Sequence, residues 1–276
     1  MDAGLLTADS GIATALDGRT RLYWESVGDG PPVLLIHGLG LSGGAWWRTV
    51  DALSPDMRVI TFDARGIGRS ESLMPAYTTE AMADDAVAVL DHLGIAETHL
   101  YGLSLGGMVA QQLTLRHPRR VRSLVLGATH PGGPRVVRPD SEVLGFFRSR
   151  AGMAPKDAAW ASVPYNYGPR AQEEMLDCIT EDIEIRLSNP FNEHAYRAQL
   201  FAAALHNCFG RLNRIEAPTF VVHGRHDRII PVENAHLLAE RIPDSRLSIL
   251  QHAGHLYPTE EPESDRAVAG FLAGYS

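Results

Sequence analysis

Ser104 stands in the hexapeptide Gly102-Leu103-Ser104-Leu105-Gly106-Gly107, between an apolar run at His99 to Tyr101 and a helical pattern from Met108 to Arg116. A nucleophile on a sharp strand-to-helix turn needs small neighbours, because side chains at 102 and 106 would collide across the turn. The turn also points the serine at a helix N-terminus, which favours developing negative charge. A serine hydroxyl is a poor nucleophile until a base takes its proton. Twelve histidines compete for that role. His255 is the choice: it follows a glycine in Gln251-His252-Ala253-Gly254-His255, directly after the last apolar run, Leu247 to Leu250. His252 is the runner-up, and His92 and His117 read as exposed helix residues. The base in turn needs a carboxylate to fix its tautomer and stabilise the imidazolium. Asp227 lies a few residues beyond the run Thr219 to Val222, in His223-Gly224-Arg225-His226-Asp227. The other place for such an acid, after Leu126, reads Gly127-Ala128-Thr129-His130-Pro131 and has no carboxylate.

Acyl transfer passes through a tetrahedral anion that backbone amides can hold. The amide of Leu105, next to the serine, is one expected donor. The other is Leu39, in the glycine-bearing loop His37-Gly38-Leu39-Gly40 that follows the run Val33 to Ile36. His37 reads as a structural loop residue.

The elements that must position these groups alternate. Thr20 to Ser26, after the Asp17-Gly18 turn, reads as a strand, as do Val33 to Ile36, Arg58 to Phe62, His99 to Tyr101, Ser123 to Leu126, Thr219 to Val222 and Leu247 to Leu250. Most of these are short, continuous and apolar, as strands buried on both faces should be. Between them lie helical patterns at Glu80 to Leu93, with Thr78 as N-cap and Gly94 as stop, and at Met108 to Arg116, Glu233 to Arg241 and Ser264 to Leu272. Repeated strand–helix alternation predicts an α/β fold with a mostly parallel sheet flanked by helices. His130 to Arg214 breaks the pattern with aromatic-rich helical sequence and no strand signal. The expected organisation is a core of residues 1–129 and 215–276 with an inserted helical cap at 130–214.

Of the 276 residues, 45% are hydrophobic and 21% charged, which is globular composition. The formal net charge of -8 argues against a nucleic-acid partner, whose phosphates need a basic face. Met1 to Ser10 has no basic stretch leading into a long apolar run, and no segment has the roughly 20 apolar residues of a membrane span. Cys178 and Cys208 sit in no metal-ligand spacing and read as buried free thiols. A cytoplasmic protein with no membrane association, metal or cofactor is expected.

The order Ser104, Asp227, His255, with His37-Gly38 and the GxSxG turn, resembles the α/β-hydrolase superfamily from about residue 20 to the C-terminus. The segment Asp63-Ala64-Arg65-Gly66-Ile67-Gly68-Arg69-Ser70 also resembles a loop frequent there, in which Asp63 and Arg65 would stabilise turns. Relatives with an aspartate nucleophile are excluded by Ser104. Relatives that rely on a lysine near the site are disfavoured, since the sole lysine, Lys156, lies in the helical segment. Relatives that hydrolyse carbon–carbon bonds usually have Asn before the serine and Trp after the histidine, where this chain has Leu103 and Leu256. The resemblance therefore implies a small serine esterase or enol-lactone hydrolase acting on a small apolar ester or lactone. Leu41, Trp46, Trp47, Trp160 and Tyr165 would line its pocket. An acyltransferase, thioesterase, lyase, cyclase or C–C hydrolase on the same residues is the first alternative, and a ligand receptor the second, because fold does not fix reaction.

Overall fold

The computed structural model describes residues 8–71, 77–189 and 191–276, and the side chain of Ala151 is not among what it describes. Met1 to Thr7, part of the stretch searched for a leader, lie outside the described residues.

Eight strands form one sheet: β1 (Ala8–Thr14), β2 (Arg21–Val27), β3 (Pro32–Ile36), β4 (Arg58–Phe62), β5 (Thr98–Leu103), β6 (Val121–Gly127), β7 (Thr219–Gly224) and β8 (Ser245–Leu250), in the order β1-β2-β4-β3-β5-β6-β7-β8. From β4 across to β8 all neighbours are parallel, while β2 runs antiparallel to β4 and β1 antiparallel to β2. Strand β1 is absent from the sequence reading. Its residues, Ala-Asp-Ser-Gly-Ile-Ala-Thr, bury little because it is the sheet edge, so no apolar run marks it. It is held by the turn that Asp17-Gly18 announces. There the Asp17 carboxylate accepts from the amides of Arg19 and Thr20, each at 2.8 Å, and Gly18 takes φ 69°.

The continuous apolar strands have a direct cause. In β3, Leu34 and Ile36 pack into one hydrophobic cluster and Val33 and Leu35 into another, on the opposite face of the sheet. Helices α1 (Trp47–Leu53), α2 (Thr79–His92) and α3 (Leu105–Arg116) follow β3, β4 and β5 in turn. Helix α2 begins where Thr78 Oγ1 accepts from the Ala81 amide at 3.1 Å, and Gly94, at φ 68°, turns the chain away after it. Its buried Ala83, Ala86, Val87 and Leu90 meet the first cluster.

Between β6 and β7 the described residues contain no strand, only α4 (Ser141–Ser149), α5 (Pro155–Ala161), α6 (Val163–Asn166), α7 (Pro169–Glu174), α8 (Leu176–Leu187) and α9 (Glu193–Leu205) with short 3₁₀ turns. Ala159, Val163, Tyr167, Ala171, Ile179 and Ile183 give this segment a cluster of its own. Its two ends meet where Gly132 bridges Asn207 and the Cys208 amide donates to Pro131 O at 2.7 Å. The chain then closes with α10 (Glu233–Arg241) between β7 and β8, followed by α11 (Tyr257–Glu260) and α12 (Glu263–Ala273).

The strand order reverses at β3. The chain leaves β3 toward β4 on one side and returns to β5 on the other, opening a crevice beyond their C-terminal ends. Ile36 pairs with Gly102 at that edge, which brings the loops carrying His37 and Ser104 together. Among the described residues no helix is long and apolar enough to cross a membrane, and no group of three or more His, Cys, Asp or Glu is placed to hold a metal ion. Cys208 is buried, whereas Cys178, on α8, is only half-buried, a departure from the expected burial of both: the buried positions of that helix are Ile179 and Ile183.

Candidate active site

Ser104 has φ 57° and ψ −119°, a left-handed conformation that a non-glycine residue adopts only when its surroundings impose it. The surroundings do so from three sides. The Ser104 amide donates to Gly127 O at 2.9 Å, and Thr129 Oγ1 donates to Ser104 O at 2.7 Å. The flanking glycines let β3, β5 and α3 touch: a Cβ on Gly106 would sit 1.8 Å from Ile36 O, and one on Gly102 would sit 2.4 Å from Gly106 O. The helix starts at Leu105, three residues before the helical pattern legible in sequence, because those glycines are weak helix formers yet fit this contact.

His255 Nε2 lies 3.0 Å from Ser104 Oγ, and His255 Nδ1 lies 2.7 Å from Asp227 Oδ2. Asp227 Oδ1 accepts from the amides of Ile229 and Ile230 at 2.9 and 2.8 Å, which locks the carboxylate plane. Burial would raise the Asp227 pKa, but the His255 charge and hydrogen bonds from His223 and His255 outweigh it and hold the carboxyl at about 2. An ionised Asp227 requires the proton of His255 on Nδ1, leaving Nε2 as an acceptor toward Ser104. The loops after β5, β7 and β8 thus deliver one hydrogen-bonded chain from three distant parts of the sequence. His252 is exposed on the surface, His117 meets Asp84 at 3.1 Å, and His92 lies tilted against Trp24 with ring centroids 5.8 Å apart, so none competes with His255.

The amides of Leu39 and Leu105 donate to no group among the described residues. Leu105 opens α3, whose first amides have no intrahelical partner. Leu39 lines the same cavity as Ser104, and a Cβ on the preceding Gly38 would approach Ser104 Cβ to 3.1 Å. His37 packs on Trp46 with ring centroids 4.8 Å apart, and its Nδ1 accepts from the Gly38 amide at 2.6 Å. Burial, then the His255 charge, depress its pKa to about 3, so it stays neutral and shapes the loop.

A cavity of about 130 Å³ opens over Ser104. Of the five pocket residues named from sequence, Leu41, Trp46 and Trp47 line it. Trp160 and Tyr165 do not. Trp160 is 38% exposed, and Tyr165 stacks on Phe146 at 4.6 Å with its hydroxyl 3.2 Å from Glu142. Both lie on helices whose inward face belongs to other residues, and helical phase in a segment of four- to seven-residue helices is not fixed by sequence pattern. From the segment between β6 and β7, the aromatics that do reach the cavity are Phe147 and Tyr167.

Glu260 is a further residue that sequence reasoning missed. Its two oxygens accept from the amides of Gly254 and Gly168, each at 2.7 Å, joining the loop that carries His255 to the helical segment. Burial pushes it up to about 7, against the lowering effect of those two amides. The Asp63 loop is built as a set of turns: Asp63 accepts from the amides of Gly43 and Arg69, each at 2.8 Å, and Arg65 pairs with buried Asp85.

Residues 31–262 match the α/β hydrolase fold family. Over 264 residues the chain is 32% identical to a protein of Variovorax paradoxus (strain S110) provisionally named carbamate hydrolase RutD, covering 92% of this chain and 97% of that one. It is also 32% identical to the 2-hydroxymuconate semialdehyde hydrolase of Pseudomonas sp. (strain CF600), covering 92% and 90%. A solved thermophilic esterase from Thermogutta terrifontis superposes with a TM-score of 0.83 at 30% identity, covering 97% of this chain and 100% of the other. With its eight-stranded, mostly parallel sheet and flanking helices, the chain belongs to the α/β-hydrolase family and is an enzyme of the hydrolase kind.

Proposed function

We propose that the protein hydrolyses a carboxylic ester or lactone through an acyl-enzyme on Ser104. The observation that carries this reading is the hydrogen-bonded chain Ser104–His255–Asp227 facing a cavity lined by Leu39, with the uncommitted amides of Leu39 and of Leu105, next to the serine, close by. In this reading Ser104 Oγ attacks the carbonyl carbon as its proton passes to His255 Nε2. Asp227 stabilises the imidazolium, and the amides of Leu39 and Leu105 hold the oxyanion. His255 then protonates the departing alkoxide, and in the second half activates the water that cleaves the acyl ester. Leu41, Trp46, Trp47, Phe147 and Tyr167 supply an apolar wall for the substrate. Residues 130–214 act as a cap over a core of 1–129 and 215–276. The enzyme works in the cytoplasm, consistent with two free cysteines.

Carbon–carbon bond hydrolysis on the same residues is a second reading, favoured by the name of the Pseudomonas relative; Leu103 and Leu256 weigh against it. The test is a fluorophosphonate probe followed by peptide mass spectrometry, together with p-nitrophenyl esters of graded chain length and a set of lactones. Labelling at Ser104 with ester or lactone turnover is expected. Labelling elsewhere removes the proposed nucleophile. Labelling at Ser104 without turnover of any ester or lactone moves the activity to another bond.

A further inference from the structure

We infer that Arg150, Arg186 and the hydroxyl of Tyr196 form a receptor for a carboxylate carried by the substrate, set at the junction between the cavity over Ser104 and a second, larger cavity. This rests on the hydrolase reading for the identity of the bond cleaved, but not for the binding site itself. The second cavity, of about 670 Å³, shares Phe147, Arg150 and Arg186 with the first. Arg150 follows the end of α4, and Arg186 stands in the last turn of α8.

Neither guanidinium makes an ion pair among the described residues, although carboxylates lie close by. Asp182, one helical turn before Arg186, is committed to Tyr167 Oη at 2.9 Å, Thr259 Oγ1 at 2.6 Å and Arg48 Nε at 3.5 Å. Glu193, in the second cavity, pairs with Arg197 at 2.6 Å. The acidic side chains lining both cavities are thus already neutralised, and the two arginines line the shared junction with no carboxylate paired to either among the described residues. Burial, then the like charge of Arg150, lowers Arg186 to about 10, so it remains cationic at neutral pH. Two unneutralised guanidinium groups lining one sheltered junction cost free energy that an incoming anion recovers.

Tyr196 adds an independent observation. It is 8% exposed, and its buried hydroxyl, beside the Arg150 guanidinium, has no partner in ordinary hydrogen-bond geometry among the described residues. The Arg150 guanidinium carbon lies 5.0 Å from its ring centroid. A buried hydroxyl is rarely left unpaired unless a ligand or water completes it. The ring also packs against Gly40, where a Cβ would come within 2.7 Å of it, next to the Leu39 amide proposed for the oxyanion. The charge of Arg186 is moreover felt at His37 in the same loop. A carboxylate on this receptor is therefore anchored beside the loop at which the ester carbonyl would react, with Phe147 bordering both cavities.

The test uses the full chain with Ser104→Ala, titrated calorimetrically with monomethyl and dimethyl esters of succinate, glutarate and adipate. At the best-fitting length the half-ester should bind at least about tenfold tighter than the diester, equivalent to about 1.4 kcal/mol. Arg150→Met and Arg186→Met should each cut that preference to about threefold or less, and Arg186→Lys should retain part of it. Equal binding of half-ester and diester, or a preference that survives both methionine variants, overturns the inference. Should an arginine variant melt early by circular dichroism, Tyr196→Phe removes only the hydroxyl, and an unchanged preference there also overturns it. Turnover of the same esters by the unmutated chain reads the hydrolase proposal separately. Selective binding without turnover leaves the receptor standing and removes ester hydrolysis; turnover without selective binding does the reverse.

Discussion

Replacing Asp227 by asparagine changes one atom in the hydrogen-bonded chain, and the structure dictates how that atom must be placed. Asp227 Oδ1 accepts from two backbone amides at 2.9 and 2.8 Å. An asparagine that turned its NH₂ toward them would set donors against donors, leaving buried polar groups unpaired at about 1–3 kcal/mol each. The carboxamide oxygen therefore keeps the Oδ1 position and the NH₂ takes the place of Oδ2, 2.7 Å from His255 Nδ1. That nitrogen can then only accept, so the proton moves to Nε2 and faces Ser104 Oγ, 3.0 Å away. The base is thereby held in the tautomer that cannot take the serine proton. A wrong-tautomer histidine loses about 10⁴-fold in kcat, or roughly 5 kcal/mol of barrier lowering. The same NH₂ also meets His223 Nε2, which donates to Ile230 O at 2.8 Å, so a modest loss of stability accompanies the kinetic one. The assay is kcat and kcat/KM for the best ester of the panel, with circular dichroism to show the fold intact. A folded Asp227→Asn protein that loses less than about tenfold would refute the assignment of Asp227 as the group that orients His255.

Three further outcomes follow from the same geometry. Ser104→Ala and His255→Ala should each lower kcat by roughly 10³-fold or more, and the double variant should be scarcely worse than either; multiplying losses in the same kinetic assay would show that the two do not act as a unit. Gly106→Ala should cost about 1–3 kcal/mol or more in urea unfolding and abolish fluorophosphonate labelling, because its Cβ would stand 1.8 Å from Ile36 O; a stable, labelled variant would mean that the turn is not held by that contact. Asp265 is buried, with one oxygen accepting from Thr49 Oγ1 at 2.9 Å and the other unpartnered, and burial pushes its pKa from 3.8 to about 7. The folded state holds a proton there that the unfolded chain releases, so this group's contribution falls as pH rises from about 4 to about 7. Asp265→Asn should flatten that part of the decline in urea midpoint between about pH 4 and about pH 7, and an unchanged slope would contradict the raised pKa.

The sequence by itself determined the sheet apart from its β1 edge, and the identity of the three hydrogen-bonded side chains, for local reasons. Strands buried on both faces must be continuous apolar runs, so β3 to β7 were legible, including β3, whose alternate residues feed opposite clusters, while edge strand β8 was marked by the apolar residues among Leu247 to Leu250. A sharp turn between strand and helix leaves room only for glycine around Ser104, so its neighbours announce the conformation that φ 57° confirms. Position after a strand end then selected His255 from twelve histidines, since the C-terminal edge of a parallel sheet is where loops converge. Tertiary structure decided what has no local signature. Edge strand β1 buries too little to carry an apolar pattern. The short helices of residues 130–214 take their phase from long-range packing, which turned Trp160 and Tyr165 outward and brought Phe147 and Tyr167 to the cavity. Glu260 could be recognised only once Gly168 and Gly254 stood on either side of it. For Arg150 and Arg186 the reason is sharpest: an arginine's charge is written in the sequence, but whether a carboxylate stands beside it is a property of the folded chain alone.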